Sequence, residues 1–154
     1  MELCFGYYES PIGLVEISGT TDVIRSLNFV EERREGCCSN SLVERAVKEI
    51  KEYFRGNRQQ FDVPLDLQGT PFQEAVWQEL LKIPYGSTVS YGDIARAIGK
   101  PKAVRAVGGA NHQNPIALIV PCHRVIGSDG SMTGYGSGIW RKEWLLKHEG
   151  KKLK

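Results

Sequence analysis

The sequence predicts an α/β N-terminal domain, a small antiparallel sheet plus a helix, over residues 1–68, followed by a mainly α C-terminal domain with a helix-turn-helix over 69–154. Three observations predict this. Short alternating segments separated by turn residues fill the first thirty positions. One amphipathic stripe follows them. From Gly69 onward, helical segments with complete start and stop signals succeed one another. A chain of 154 residues is long enough for two small domains with cores of their own, without covalent staples.

The first strand is predicted over Leu3 to Tyr8, the turn at Ser10-Pro11-Ile12-Gly13, and the second strand over Leu14 to Ser18, where Leu14 and Glu16 alternate with Val15 and Ile17. A third strand is predicted over Val23 to Phe29, and the charged stretch from Glu31 to Asn40 as a loop. Leu42, Val43, Ala46, Val47, Ile50, Tyr53 and Phe54 then recur at helical spacing, a stripe that belongs to a core. Apolar and polar residues alternate briefly over 61–68, and Gly69 breaks the pattern at the domain boundary.

Thr70, Pro71 and Gln73 give the next helix an N-cap, a first-turn proline and a capping-box partner. Phe72, Val76, Leu80 and Ile83 line one of its faces, and Trp77 beside them reads as packing. Pro84-Tyr85-Gly86 stops this helix, Ser90 caps another over Tyr91 to Ile98, and Gly99 ends it. With a third helix opened by Pro101 and running over Lys102 to Asn111, the pair forms a helix-turn-helix. The third helix carries Ala103, Ala106, Gly108, Gly109 and Ala110, with little bulk besides Lys102 and Arg105. Such smallness serves a close approach either to DNA or to another helix, and the arginine favours DNA. A last helix is predicted over Trp140 to His148.

The net charge of +2 conceals an asymmetry. Residues 1–68 hold 8 Lys+Arg against 12 Asp+Glu, a balance of −4, while 69–154 hold 12 against 6, a balance of +6. A basic second half suits a polyanion, although a solvated basic face looks the same. No apolar run reaches membrane-span length and no secretory h-region follows the start, so the expectation is a protein of the reducing cytoplasm, or of the nucleus in a eukaryote. The four cysteines are therefore expected as free thiols. His112, His123 and His148 lie far along the chain from Cys4, Cys37 and Cys38, so no metal is expected.

Asn114-Pro115 closes the helical region, and the apolar run from Ile116 to Val120 must be buried on its way to Pro121-Cys122-His123-Arg124. A cysteine so placed sits on a fixed backbone, and His123 and Arg124 beside it could favour the thiolate, the form that attacks. An ordinary thiol, with a pKa of about 8.5, is little ionised near neutrality and needs a base. His123 is at hand, and Glu149 is a carboxylate that could orient it, though spacing alone does not bring the two together.

Read together, these pieces resemble the O6-alkylguanine-DNA alkyltransferase (methylated-DNA-protein-cysteine methyltransferase) family. The resemblance is carried by Pro71-Phe72-Gln73 with Val76-Trp77, the run from Ile83 to Gly92, Arg105-Ala106-Val107-Gly108, Asn114-Pro115, the run from Pro121 to Ile126, and Trp140 to Leu146 ending in Glu149. It covers residues 70–150 almost continuously, and is weaker before that, where it rests on Ser10-Pro11-Ile12-Gly13 and the helix ahead of Gly56.

The resemblance implies a ribonuclease H-like N-terminal domain and a winged-helix-like C-terminal domain. It implies direct, irreversible, single-turnover transfer of an alkyl group from guanine O6 in double-stranded DNA to Cys122, by a monomer with no cofactor. Cys122 would be the nucleophile, His123 its base, Glu149 the group orienting His123, and Tyr91 a donor to guanine N3. The second helix of the helix-turn-helix, with Lys102, Ala106 and Gly108, would enter the minor groove, and Arg105 would fill the gap left by the extruded base. Asn114 would brace the turn before Cys122, and backbone groups of Val125, Tyr135 and Gly136 would read the guanine edges.

One departure bears on the pocket: Gly136-Ser137-Gly138 interrupts the pair of adjacent glycines usual in that family. The residues leave two other readings open, a helix-turn-helix regulator with a structural thiol and a cysteine hydrolase that turns over.

Overall fold

The computed structural model describes residues 2–132 and 135–150. The chain divides into two compact units, Met1–Leu67 and Gln68–Lys154.

In the first unit β1 (Cys4–Ser10), β2 (Gly13–Gly19) and β3 (Ile24–Val30) form an antiparallel sheet in sequence order, with Ser10 opposite Gly13 across the first hairpin. The Ser10 hydroxyl closes that turn by donating to the Gly13 carbonyl at 2.7 Å. Helix α1 (Ser41–Phe54) starts at Asn40, whose side chain accepts from the Val43 N–H, and it buries Val43, Ala46, Ile50, Tyr53 and Phe54. Gly6 allows it close to the sheet: a Cβ there would lie 2.8 Å from methyl groups of Val43 and Val47. Leu65 adds a parallel bridge to Ile24 where the sequence shows only a brief alternation.

Glu16 stands on the face of β2 opposite Val15 and Ile17, as the alternation predicts, and is nevertheless only 5% exposed, because Tyr7 and Arg34 cover it and bond to its carboxylate. One expectation for this unit is corrected. Free thiols were expected throughout, but Cys4 and Cys38 form a disulfide. The loop ahead of α1 folds back along β1, where the Phe5 N–H donates to the Cys38 carbonyl at 2.9 Å, and this brings the two cysteines together. Cys37 and Cys122 are free.

The second unit opens with α2 (Pro71–Leu80), whose capping box forms in full: Thr70 accepts from the Gln73 N–H while Gln73 accepts from the Thr70 N–H. Trp77 is packed, as expected, and its indole N–H also donates to the Ala110 carbonyl at 2.9 Å, tying α2 to the third helix of the unit. The two-residue strand β4 (Val89–Ser90) leads into α3 (Tyr91–Ala97), capped by Ser90 and closed by Gly99 at φ +76°.

The next helix, α4 (Val104–His112), begins two residues later than expected. Pro101 does not open it but sits second in a turn closed by the Ala103 N–H and the Lys100 carbonyl, a place its fixed φ suits. Residues 116–120 are buried, as the apolar run required, but in successive turns rather than a strand, with Leu118 held at φ +71°. A 3-10 turn over Cys122–Arg124 runs into β5 (Val125–Ile126), parallel to β4, and α5 (Ile139–His148) follows. Among the described residues, no helix is long and apolar enough to cross a membrane.

Candidate active site

The site grows from the turns that precede Cys122. The Asn114 amide donates to the Val120 carbonyl at 2.7 Å, and its oxygen accepts from the Ile116 N–H at 3.0 Å, so one side chain spans the approach to the cysteine. Asn111, buried at the end of α4, donates to the Cys122 carbonyl at 3.3 Å. Cys122 itself is 5% exposed. Burial pushes its thiol up to about 11, against the pull of an Asn114 hydrogen bond, the Lys142 charge and the backbone N–H groups of Cys122 and His123. A thiol so placed stays protonated at neutral pH until a base removes its proton.

A candidate for that base lies next along the chain. One ring nitrogen of His123, Nε2, lies 2.7 Å from Glu149 Oε2, and both side chains are wholly buried. Burial holds the imidazole below its ordinary value although Glu149 pulls the other way, so His123 is neutral. The carboxylate needs the proton between them, so Nε2 donates to Glu149 and Nδ1 is left as the acceptor. Nδ1 is buried and has no hydrogen-bond partner. Burial alone would raise Glu149, but the hydrogen bond from His123 and the hydrogen bonds and charge of Arg124 outweigh it and hold the carboxyl well below the usual carboxylate range. Spacing did not reveal this meeting of Glu149 with His123; the C-terminal end of α5 produces it.

Arg124 has a different place from the one its neighbourhood suggested. Its guanidinium donates to Glu149 at 2.8 and 3.1 Å and to the Ile83 carbonyl at 2.7 Å, which locks the carboxylate. A second buried cation comes from α5, and sequence reasoning missed it. Lys142 is wholly buried, with its ammonium 2.5 Å from the Val125 carbonyl and 5.8 Å from the centre of the Tyr91 ring. The signal was available: Lys142, Leu145, Leu146 and Glu149 share one helical stripe, and all four are buried.

Tyr135 is 6% exposed, and its hydroxyl has no hydrogen-bond partner. A Cβ on Gly136 would lie 3.4 Å from the His112 carbonyl, a tight but not forbidden contact. Ser137 directs its carbonyl to Arg141 at 2.6 Å, and Gly138, at φ +106°, is the residue that needs to be glycine where α5 begins.

The remaining predicted residues lie on α4 and the turn before it. Lys102, Arg105 and Ala106 are exposed and Gly108 is half-buried, while Val107 and Ala110 face inward. Extra Cβ atoms on Gly108 and Gly109 would meet nothing within 4 Å. The smallness of this face is therefore not required by packing within the chain. Among the described residues, no three His, Cys, Asp or Glu side chains gather as a metal would require.

Comparison with known proteins places these features in a family. The model of the 6-O-methylguanine DNA methyltransferase DNA binding domain matches residues 71–151, and that of the 6-O-methylguanine DNA methyltransferase ribonuclease-like domain matches residues 3–67. A methylated-DNA–protein-cysteine methyltransferase of Methanosarcina acetivorans is 47% identical over 152 residues, covering 95% of this chain and 97% of the relative. A protein of the same name from Mycobacterium bovis is 50% identical over 146 residues, covering 92% of this chain and 88% of the relative. The crystal structure of Mycobacterium tuberculosis OGT in complex with DNA matches at a TM-score of 0.87 and 48% identity, over 97% of this chain and 92% of that one.

Proposed function

Because the chain belongs to the O6-methylguanine DNA methyltransferase family, we propose that it repairs DNA directly, moving an alkyl group from guanine O6 onto Cys122 in a single irreversible turnover. One observation carries the assignment of the site: a buried Glu149–His123 pair at 2.7 Å whose free imidazole nitrogen adjoins the cysteine's own turn.

In this reading, His123 Nδ1 takes the thiol proton through a water, and Glu149 steadies the imidazolium that results. The sulfur attacks the alkyl carbon in line; a sulfur–carbon bond forms, the carbon–O6 bond breaks, and its electron pair remains on guanine. A hydrogen bond from Tyr91 to guanine N3 offsets the charge left on the base. The Val125 carbonyl and the backbone at Tyr135 and Gly136 read the guanine edges. No cofactor or metal takes part. Nothing returns the thioether to a thiol, so each molecule acts once.

The target must leave the helix, since a thiolate cannot line up behind an alkyl carbon inside a stacked duplex. The exposed face of α4, with Ala106 and Gly108 and the preceding Lys102, lies in the minor groove, and Arg105 fills the vacated stack. The open space around Gly108 and Gly109 supports this side of the reading. We assign residues 1–68 to a ribonuclease H-like domain and 69–154 to a winged-helix-like domain that holds all the chemistry. The protein acts as a monomer wherever DNA is kept, in the cytoplasm or, in a eukaryote, the nucleus.

The test is stoichiometry. Incubated with a duplex containing O6-methylguanine, the protein should gain one methyl on the peptide bearing Cys122 and then stop, and Cys122→Ala should bind DNA without gaining it. Methyl on Cys37, or continued turnover as by a hydrolase, would refute the assignment. A strong preference among undamaged sequences would point to a regulator instead.

A further inference from the structure

We propose that Asn111 is a specificity-determining residue for the alkylated base, its side-chain oxygen accepting a hydrogen bond from the exocyclic 2-amine of the extruded guanine. The inference deepens the repair reading of Cys122 and rests on it.

Asn111 closes the buried face of α4, one turn beyond Val107, and is 2% exposed. Its amide nitrogen donates to the Cys122 carbonyl at 3.3 Å. That bond fixes which way the amide faces, since the reverse orientation would set two acceptor oxygens against each other. Oδ1 is left as an acceptor, buried and without a hydrogen-bond partner. A buried amide oxygen in this state forgoes the bond that ordinarily offsets its loss of water. Leucine has nearly the same volume and would fill the place without that cost, so packing alone does not account for the amide. The helix that carries Arg105 on its exposed side thus ends in an open acceptor tied to the nucleophile's own main chain.

The chemistry of the substrate names the donor. Alkylation at O6 holds the purine in the form whose N1 carries no proton, so N1, N3 and N7 are all acceptors. The 2-amine is then the one donor the base has left, and it has two N–H bonds to place. With the Val125 carbonyl taking one, Asn111 Oδ1 takes the other. The other orphaned atoms of this unit do not compete for it. His123 Nδ1 receives the thiol proton, and the Tyr135 hydroxyl can itself donate, which suits a bare ring nitrogen. Adenine has no 2-amine, so an acceptor here selects guanine. Because the same amide holds the Cys122 carbonyl, base identity and the placing of the sulfur are read through one side chain.

The test removes the amine from the DNA and the acceptor from the protein in turn. Single-turnover methyl transfer is timed for duplexes carrying O6-methylguanine or O6-methylhypoxanthine, which lacks only the 2-amine, in the wild type and in Asn111→Leu. The cost of extruding each base belongs to the DNA and cancels between the two proteins. The wild type should prefer methylguanine, and Asn111→Leu should lower that preference by about three- to tenfold, the worth of one hydrogen bond, by slowing transfer from methylguanine more than from methylhypoxanthine. Equal slowing of both, with the preference unchanged, would overturn the proposal and leave Asn111 as a brace for the Cys122 carbonyl or the holder of a fixed water.

If Asn111→Leu does not fold, carbon NMR of the Asn111 side-chain carbonyl decides instead, in Cys122→Ala protein bound to each duplex. The signal should differ between the methylguanine and methylhypoxanthine complexes, and identical signals would refute the contact. Wild-type protein that takes methyl from neither duplex would sink the repair reading, and this proposal with it.

Discussion

Glu16 and Glu49 in the N-terminal unit and Glu149 in the C-terminal unit are all at most 5% exposed, but they are held by different company. Glu16 accepts from Tyr7 and from Arg34, whose side chain is 60% exposed. Glu49 accepts from the Asp62 N–H and pairs with Arg45 and Arg58, side chains that are 50% and 25% exposed. Glu149 pairs with His123 and Arg124, which are sealed in with it. Cations that reach water can rehydrate when a carboxylate is lost, so these two sites tie the chain to β2 and to α1 at modest stakes. A fully sealed group cannot, and it is found where polar atoms lack partners: Asn111 Oδ1, His123 Nδ1 and Tyr135 OH belong to the C-terminal unit, against Asn40 Nδ2 in the other. Unsatisfied buried atoms concentrated in one place are what a site awaiting a ligand should leave.

The contrast is testable at its strongest point by Glu149→Gln. Losing the carboxylate should slow methyl transfer by about 10²–10⁴-fold, the range of a general base and its support, and cost about 3–5 kcal/mol in urea unfolding because Arg124 becomes a buried charge without its partner. Glu49→Gln should cost about 1 kcal/mol and leave transfer unchanged, since its arginines turn to solvent. Equal costs at the two positions would erase the distinction.

Next in size is the disulfide, which belongs to the N-terminal unit alone. Its sequence separation is 34 residues, and losing the closed loop should destabilise that unit by about 4 kcal/mol. Cys4→Ser with Cys38→Ser should show this in thermal unfolding while Cys122 still takes its methyl. A matching loss of transfer in the folded protein would mean that the two units do not divide structure from chemistry.

Acid should act on the C-terminal unit through two groups. His123 is held below its ordinary value by burial, so between the unfolded value of about 6.5 and its own lower one the unfolded chain binds more protons, and stability falls as pH falls. Glu149 is also lowered; its contribution is complete above the unfolded carboxyl value of about 4.3 and disappears as pH drops towards its folded value. Urea midpoints measured from pH 7 to 3 should therefore decline below about 6.5 and more steeply below about 4.3. His123→Gln should remove the first decline, and a midpoint flat to pH 5 in the wild type would contradict the neutral buried imidazole.

Legibility in the sequence followed the range of the interactions. The two capping boxes at Thr70 and Ser90 are contacts within four residues, so their signatures read directly. The three strands and α1 were legible because period and turn chemistry agree there. The start of α4 was misplaced because Pro101 suits a turn as well as a first helical position, and Ala103 offers no capping side chain to decide between them. The candidate site was legible only where the reactive residues adjoin. His123 follows Cys122 in the chain, but Glu149 lies 26 residues further on, and only the path of the chain through α5 closes that gap. Lys142 was passed over because a lysine on an otherwise apolar stripe reads as a solvated side chain until its burial is seen. The Cys4–Cys38 pair was missed for the same reason: the argument from compartment knew nothing of a loop that returns to β1.

The smallest effects test the glycines, where the units differ again. Gly6 lies under α1, and a Cβ there would press on Val43 and Val47 at 2.8 Å, so Gly6→Ala should lower stability. Gly109 sits in α4 with open space around it, and alanine is the better helix former by about 1 kcal/mol. Gly109→Ala should therefore stabilise the protein by up to about that amount, as read by urea unfolding. A position that weakens its own helix without easing any contact inside the molecule is explained by a partner outside it. If α4 lies against DNA, the same substitution should weaken binding to a duplex and slow methyl transfer although the protein has become more stable. Should Gly109→Ala gain stability and lose nothing in DNA binding, the small face of α4 is not the DNA surface at that position, and Arg105 would have to be placed anew.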